Sequence, residues 1–408
     1  QRIFWSDRDE ASTVAGIGAA ARYDHSSSGD LDTFIRRMRA DLSRAHPHMR
    51  CYGGFPFNPR VREDDEWGAF VFGRFVVPAI EVGRVGNECF IAVNVNRTAE
   101  LSDTLALLDQ LDFSGAPPAT EAPSPIRRTD SPDEELFEAI VDEALEAIRA
   151  DLLKKVVLAR RSTFEFEAPI CPFALLRALQ QHTERSFQFC FQFDPEAAFV
   201  GASPERLYKR RNTYLQSESI AGTRPRGATP EEDEALSREL MTDDKESREH
   251  RFVSLDIGRV FENLCRAVRG GDRIEMLPLR HCRHLLTRFE GMLHEPDCDG
   301  EILRELHPTP AVGGVPKDRA LEFIARNEPF YRGWYAAPVG WIGYDTAEFA
   351  VAIRSALVRE NVVNVYSGAG VVAGSRAANE WAEIENKMRN FRIALEGERA
   401  GLVPAGPA

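Results

Sequence analysis

A chain of 408 residues can bury a large core, as one large domain or as two or three ordinary ones. Its 43% hydrophobic and 28% charged residues are typical of a soluble globular protein, and no stretch approaches the ~20 apolar residues that cross a membrane. The formal net charge of −13, with no basic run, argues against nucleic acid as a partner. A small dianionic substrate would be repelled by this charge, so it would need a locally cationic site or a bound metal.

The seven cysteines are scattered along the chain and show no C-x-x-C spacing. This distribution is typical of reduced thiols and fits neither a disulfide framework nor a zinc site. The first residues contain no apolar signal segment. We therefore expect a cytoplasmic protein.

The first third of the chain contains two strand-like runs, at 68–77 and 89–95. A stretch at 115–132 follows that is rich in proline and poor in large apolar residues. This composition predicts a connecting segment.

A helix is predicted directly after this segment. Ser131 is the expected N-cap, Pro132 occupies the first helical position, and Glu134 completes a capping box. The apolar residues that recur on one face of this helix are Leu136, Ile140, Ala144 and Ile148.

The rest of the chain mixes strands with long helices. Apolar and alternating patterns predict strands at 155–161, 186–193 and 199–202. Long helices are predicted at about 242–267 and 378–395. Because strands and helices do not alternate regularly, the pattern predicts an α+β fold rather than a doubly wound one.

Both long helices carry closely spaced carboxylates. On the C-terminal helix, Glu380, Glu383 and Lys387 share a side that is distinct from the apolar side. On the other helix, Glu246 and Glu249 are three residues apart. Each set is either a solvated charged face with weak surface ion pairs or a source of the hard oxygen ligands that Mg²⁺ prefers. Spacing alone leaves both interpretations open.

A lysine and a glutamate stand out at the ends of predicted strands. Lys155 precedes an apolar run, so it is either an edge residue that reaches solvent or a group drawn into a cleft. In a cleft, desolvation favours the neutral amine that acts as a base. Glu205 follows a Ser-Pro turn and is either a helix-start carboxylate or a buried general acid. A base and an acid on opposite sides of one substrate suit an addition–elimination reaction.

Ten short motifs follow one another from Lys155 to Lys387. They are K-V-V-L-A-R (155–160), G-A-S-P-E-R-L (201–207), I-A-G-T-R-P-R-G (220–227), D-K-E-S-R-E-H (244–250), H-L-L-T (284–287), H-P-T-P-A (307–311), Y-R-G-W-Y (331–335), A-I-R (352–354), G-A-G-V-V (368–372) and E-W-A-E (380–383). In this order they resemble the chorismate-utilising enzymes, the family of the isochorismate, salicylate, anthranilate and aminodeoxychorismate synthases.

The resemblance implies one α+β domain, in which two large antiparallel sheets pack as a sandwich with helices outside. On this basis, residues 1–115 form the N-terminal part of the domain and 116–132 a Pro-rich connection inside it. Residues 133–398 form the chorismate-binding catalytic core, and 399–408 a flexible tail.

The resemblance also implies the metal and substrate residues, motif by motif. Glu249 and Glu383 should bind Mg²⁺, with Glu246 and Glu380 nearby, directly or through water. The metal would hold the ring carboxylate of chorismate, helped by Lys387 and by the backbone at Gly222, Thr223 and Gly368. Further contacts are expected from Arg354 and Tyr335 to the enolpyruvyl carboxylate and from His284 along the ring pocket.

Members of this family differ in their nucleophile. The resemblance implies that Lys155 activates water for attack at C2 and that Glu205 protonates the departing C4 hydroxyl, which gives isochorismate. Anthranilate synthases lack this lysine, and aminodeoxychorismate synthases have a nucleophilic lysine where this chain has Ala221. We therefore expect a Mg²⁺-dependent, reversible isochorismate synthase of the menaquinone or siderophore type, monomeric and without a glutaminase subunit.

Two alternatives to this assignment remain. A salicylate synthase would use the same lysine and glutamate and then eliminate pyruvate. Ala311 resembles the isochorismate synthases at a position where salicylate synthases often have Thr. A non-catalytic chorismate-binding protein is the other alternative, but the presence of Lys155, Glu205 and the acidic set favours an enzyme.

Overall fold

Strands and helices follow one another irregularly in this computed structural model, which describes residues 1–9, 11–25, 29–58, 66–70, 72–96, 101–112, 124–278 and 282–397. The helices are α1 (Leu31–Ala40), α2 (Leu101–Asp109), α3 (Glu134–Arg149), α4 (Pro172–His182), α5 (Pro230–Thr242), α6 (Asp244–Leu264), α7 (Asp299–Leu306), α8 (Lys317–Asn327) and α9 (Ala377–Glu396). The strands are β1 (Arg2–Ser6), β2 (Ser12–Ile17), β3 (Ala21–His25), β4 (Cys51–Gly54), β5 (Gly73–Val77), β6 (Ile80–Val85), β7 (Glu88–Val93), β8 (Arg127–Ser131), β9 (Lys155–Glu165), β10 (Phe187–Gln192), β11 (Ala197–Ser203), β12 (Arg206–Arg211), β13 (Tyr214–Pro225), β14 (Cys265–Gly270), β15 (Glu275–Pro278), β16 (Cys282–Leu293), β17 (Gly314–Val315), β18 (Pro338–Ile342), β19 (Thr346–Val351), β20 (Ser355–Arg359) and β21 (Val362–Val372).

The strands form two large antiparallel sheets. The first sheet has the order β17-β9-β21-β20-β11-β10-β1-β2-β6-β7, with β8 also paired to β9. The second has the order β14-β16-β13-β12-β19-β18-β4-β5-β3, with β15 also paired to β16. Both sheets join distant parts of the chain, because β1 pairs with β10 and β4 pairs with β18. The predicted α+β fold with two antiparallel sheets is confirmed.

An aromatic cluster forms part of the core and holds the backbone next to Tyr335. The phenylalanines of β10 alternate as the sequence predicts and are buried. Trp334 is fully buried, and its ring centroid lies 5.8 Å from those of Phe191 and Phe193 and 6.0 Å from that of Phe199. Burial of such large rings is among the strongest stabilising contributions that single side chains make. The cluster therefore holds the backbone that leads into Tyr335.

Helices cover the outer faces of the sheets. α9 contacts β21, and α6 contacts β13 and β16. Of the apolar side predicted for α9, Ile384, Met388, Phe391 and Leu395 are buried, whereas Trp381 is only partly buried. Within the described ranges, no helix combines the length and the apolar character needed to cross a membrane.

The start of α3 differs from the prediction. Ser131 is not its N-cap but the last residue of β8, and the helix begins at Glu134 with Asp133 as N-cap. The carboxylate of Asp133 accepts a hydrogen bond from the N–H of Leu136. Because β8 pairs with β9 through Ser131, the chain can enter the helix only after it leaves the sheet. The buried face accordingly comprises Phe137, Ile140, Val141 and Ala144, and Leu136 is exposed.

Three other element boundaries in the structure differ from the predicted ones. The C-terminal end of the expected Pro-rich connection is strand β8, while its residues 116–123, like the expected tail 399–408, lie outside the described residues. The run at 68–77 starts with a short 3₁₀ turn and becomes a strand only at Gly73. The helix predicted at 242–267 is shorter at both ends: Asp243 caps α6, and β14 begins at Cys265 because it pairs with β16.

Candidate active site

A small cavity of about 90 Å³ is lined by residues from both sheets and from α6 and α9. Most residues that the sequence predicts for a site meet here: Glu205, Gly222, Glu246, Glu249, His284, Ala311, Tyr335, Arg354, Gly368, Glu383 and Lys387. Lys155 and Glu380 are buried but do not line the cavity; Lys155 donates to Glu249, and Glu380 accepts from Lys245. The backbone of Thr223 pairs with that of His284 between β13 and β16. Residues from ten separate stretches of sequence thus converge on one pocket.

Lys155 is fully buried at the start of β9, so it does not reach solvent from a sheet edge. Its Nζ donates a hydrogen bond to Glu249 Oε1 over 2.9 Å. A Cβ at position 370 would lie 2.5 Å from that same oxygen and 3.2 Å from Lys155 Cε. Gly370 on β21 therefore leaves the space in which the lysine and the carboxylate meet.

Glu205 is a buried carboxyl at the end of β11. Its backbone N–H donates to Ser203 Oγ over 3.2 Å, and its carbonyl accepts from the N–H of Val351 over 3.0 Å, so the turn is fixed on both sides. Burial, and then the negative charge of Glu218, raise the pKa of Glu205 to about 8. The carboxyl is therefore mostly protonated at neutral pH and can donate a proton.

His284 is held as a neutral imidazole on the pocket wall. Its Nδ1 lies 3.1 Å from the carbonyl oxygen of Gly222, and because a carbonyl can only accept, Nδ1 carries the proton. Burial, and then the positive charge of Arg354, lower the pKa of His284 to about 4. Gly222 presents this carbonyl because it forms a bulge in β13 with a φ of +76°, a conformation that favours glycine.

Arg354 and Lys387 bring positive charge to the pocket. Lys387 Nζ donates to the carbonyl oxygen of Gly368 over 3.0 Å, which ties α9 to β21. Arg354 follows β19 and has a φ of +53°, an uncommon value for a residue with a Cβ. Strained backbone of this kind persists where the surrounding structure enforces it, and it is concentrated at functional sites.

Tyr335 lines the pocket next to Gly368. Its ring stacks on that of Tyr366 with a centroid distance of 5.4 Å, and burial raises its pKa, so the hydroxyl stays protonated. A Cβ at position 368 would lie 3.0 Å from the tyrosine Oη. The glycine therefore allows the hydroxyl to approach the backbone of β21 closely.

Each of the four predicted metal-site carboxylates pairs with its own cation. The pairs are Glu249 with Lys155 (2.9 Å), Glu246 with Arg224 (3.0 Å), Glu380 with Lys245 (2.7 Å) and Glu383 with Lys387 (2.7 Å). Since three of these four pairs connect different elements, they are not the isolated surface pairs that spacing alone allowed.

The acidic cluster has the chemistry of a Mg²⁺ site. In the described part of the chain, no group of three or more His, Cys, Asp and Glu side chains is arranged to enclose an ion. However, carboxylate oxygens are the ligands that Mg²⁺ prefers, and it normally keeps several waters. Burial, and then the negative charge of Glu249, raise the pKa of Glu246, while burial raises the pKa of Glu380. A divalent cation would relieve this repulsion, so the residues present fit Mg²⁺.

The cations that pair with Glu246 and Glu380 were missed by sequence reasoning. Arg224 and Lys245 lie inside motifs that resemble the family, but the residues predicted for the site in those motifs were Gly222, Thr223, Glu246 and Glu249. Arg224 also donates to Asp243, the cap of α6, over 2.6 Å. Lys245 stands inside an acidic motif, whereas the motif of Arg224 has no acidic residue, and the partner of each cation depends on how the elements pack.

A larger cavity of about 590 Å³ lies elsewhere, near the start of α1 and along α8. Its lining is mainly apolar and includes Phe55, Phe57 and Leu321. None of the residues predicted for the site lines it. We place the chemistry in the smaller cavity, because a buried acid, a buried lysine and several charged groups converge there.

Comparison with known proteins identifies relatives over nearly the whole chain. Isochorismate synthase 2, chloroplastic, of Arabidopsis thaliana is 36% identical over 412 residues, which are 97% of this chain and 72% of that protein. Isochorismate synthase MenF of Bacillus subtilis is 31% identical over 418 residues, which are 98% of this chain and 88% of that protein.

The fold agrees with these relatives. The structure of MenF, the menaquinone-specific isochorismate synthase of Escherichia coli, matches with a TM-score of 0.85 and 31% identity, over 97% of this chain and 88% of that one. The sequence model described as chorismate binding enzyme matches residues 1–396. Since the match includes both sheets and every residue that lines the small cavity, the chain belongs to the family of chorismate-binding enzymes.

Proposed function

We propose that this protein is an isochorismate synthase that converts chorismate to isochorismate reversibly with Mg²⁺. The observation that carries the proposal is the presence of a buried lysine, Lys155, and a buried, mostly protonated carboxyl, Glu205, beside one pocket. Glu205 lines the pocket, and Lys155 donates to Glu249, which lines it too. The relatives named isochorismate synthases support the same reaction.

The reaction exchanges a hydroxyl between two ring carbons. Lys155 acts as the base that takes a proton from water as the water oxygen bonds to C2 of chorismate. The ring double bonds shift, the C4–O bond breaks, and Glu205 gives its proton to the departing hydroxyl, which leaves as water. Water is both consumed and released, so the net change is an isomerisation. Because neither isomer is strongly favoured, the reaction runs in both directions.

Substrate binding follows from the charges in the pocket. Arg354 and Tyr335 would hold the enolpyruvyl carboxylate, and Lys387 the ring carboxylate, as charge-assisted hydrogen bonds. The neutral His284 and Ala311 would line the ring, and the backbone of Gly222, Thr223 and Gly368 would contact the ring carboxylate. The positive charges of Arg354 and Lys387 explain how a dianion binds to a protein with a net charge of −13.

The metal would be held by Glu249 and Glu383, with Glu246 and Glu380 behind them. Bound there, Mg²⁺ would neutralise the ring carboxylate and orient it. The chain's own contribution is to place the four carboxylates on α6 and α9, where Lys155, Arg224, Lys245 and Lys387 keep them in position. No glutaminase partner is needed, since water replaces ammonia.

The direct test is to identify the product. Incubation with chorismate and Mg²⁺, followed by chromatography, should give isochorismate without salicylate or pyruvate, and added isochorismate should return chorismate. Pyruvate in amounts equal to the chorismate consumed would instead identify a salicylate synthase. Absence of turnover would favour a protein that only binds chorismate, and an aminated product with added ammonia would contradict water as the nucleophile.

Lys155→Ala should lower kcat by roughly 10²–10⁴-fold, because it removes the base. Chorismate binding, measured by calorimetry, should remain detectable, since the cationic contacts persist. Lys154→Ala is the matched control: this neighbouring lysine is exposed and pairs with Asp151. The assignment of the base fails if Lys155→Ala keeps substantial turnover.

Glu205→Gln should abolish most turnover yet raise thermal stability. The pKa of Glu205 is raised from an ordinary 4.5 to about 8, so its contribution to the free energy of unfolding is present below pH 4.5 and is lost as pH rises through 8. Glutamine removes this loss. The gain in Tm over the wild type should therefore grow between about pH 5 and about pH 9. Glu196→Gln, at an exposed position before β11, should show no such trend.

Replacing a predicted metal ligand should weaken Mg²⁺ binding itself. We expect Glu249→Gln and Glu383→Gln to raise the Kd for Mg²⁺ by at least about tenfold, measured by calorimetry or with Mn²⁺ as a spectroscopic probe. Glu262→Gln, at an exposed position near the end of α6, is the control and should bind the metal normally. Unchanged Mg²⁺ affinity in both ligand variants would remove these residues from the metal site.

A further inference from the structure

The outer edge of β9 is covered by two different strands with a gap between them. Residues 155–156 pair with β17, which has only two residues, and residues 161–165 pair with β8. In the gap, the carbonyl of Val157 and the N–H of Ala159 have no strand partner among the described residues. Buried backbone groups without a hydrogen-bond partner destabilise a fold. The gap lies next to Lys155, so whatever fills it affects the site.

An ion pair between Glu328 and Arg332 fills this gap. Arg332 Nη2 donates to the carbonyl of Val157 over 2.8 Å, and Glu328 Oε1 accepts from the N–H of Ala159 over 2.8 Å. The two side chains are 3% and 2% exposed, and Arg332 Nε donates to Glu328 Oε2 over 2.7 Å, with a second contact through Nη2. One side chain acts as donor and the other as acceptor, as the two groups of a neighbouring strand would.

The same guanidinium extends to the pocket wall. Arg332 Nη1 donates to the carbonyl of Val312 over 2.8 Å, and Val312 and Val157 both line the small cavity. The carbonyl of Arg332 accepts from the N–H of Tyr335 over 2.8 Å. Its guanidinium carbon lies 4.4 Å from the ring centre of Phe57, which fixes the planar group from one side. Lys155 and Val157 share one face of β9, because side chains two residues apart in a strand point the same way.

We propose that the Glu328–Arg332 pair positions the catalytic lysine by replacing a missing piece of strand on β9. Neither residue lines the pocket, so both are positioning residues. The pair sets where Val157 and Val312 stand, and through β9 where the Lys155 amine stands relative to Glu205. The inference rests on the proposed role of Lys155 as the base. A displacement of about 1 Å at such a group can cost about 10²-fold in rate.

Arg332→Lys tests this role while keeping the buried charge. Lysine cannot reproduce the planar fork that contacts Glu328, Val157 and Val312 together. We expect kcat to fall by about 10–100-fold while KM for chorismate changes less than about threefold, because the carboxylate contacts are untouched. Amide exchange in the segment 157–161 should become faster. The control is Arg210→Lys, since Arg210 makes an equally buried two-point contact with Asp299 (2.8 and 2.9 Å) away from the pocket.

A double variant separates positioning from stability. Arg332→Met with Glu328→Met removes both charges, so no unpaired ion remains. The backbone groups of Val157, Ala159 and Val312 lose their side-chain partners, and kcat should stay low. The proposal is overturned if Arg332→Lys lowers kcat no more than Arg210→Lys does. This comparison is decisive even if the double variant does not fold. It is also overturned if the double variant folds and has the kcat of the wild type. A wild type that forms no isochorismate would refute the proposed function instead, and exchange in 157–161 would still report whether the pair holds β9.

Discussion

The structure around the pocket depends on one electrostatic constraint: four carboxylates must stand beside the place where a dianion would bind. Like charges at short distance repel strongly in a partly dry site, so each carboxylate needs a cation of its own. The chain supplies these cations from four different places, at Lys155, Arg224, Lys245 and Lys387. The pairs also tie α6 to β9, β13 and α9, so the charge balance is at the same time the attachment of the helices.

Burial then separates the roles of the titratable groups. Glu205 and Glu249 have the same side chain, but Glu205 has no ion pair among the described contacts, and burial keeps it protonated. Glu249 accepts a hydrogen bond from the Lys155 amine and is paired with it. Above the ordinary pKa of a glutamate, burial of this acid lowers the free energy of unfolding. The loss reaches about 1.4 kcal/mol for each unit by which burial raises the pKa. A position evolved for stability alone would not keep this group, which favours a chemical role.

The sequence predicted what is local and missed what depends on packing. α9 and β9 follow from periodic apolar residues, and their observed boundaries lie within one residue of the predicted starts. The predicted start of α3 is wrong because Ser131 and Pro132 form an acceptable helix start, whereas pairing of β8 with β9 is a long-range contact. Residue spacing placed Glu246 and Glu249 on one helix, but only the family resemblance joined them to Glu383. The partners Arg224 and Lys245 could not be predicted, because each lies far along the chain from its acid and the pairing depends on how the elements pack.

The edge of β9 shows why such a site can tolerate a costly buried ion pair. Replacing a buried pair by apolar side chains is often neutral or stabilising, so its presence needs another reason. Here the alternative to the pair is a longer β17, and the chain at 311–313 would then continue as a strand instead of turning into the pocket wall. The side chains of Glu328 and Arg332 satisfy the two backbone groups of β9 without using that segment. Ala311 and Val312 are thereby left to line the cavity, and the strand that carries Lys155 keeps a fixed edge.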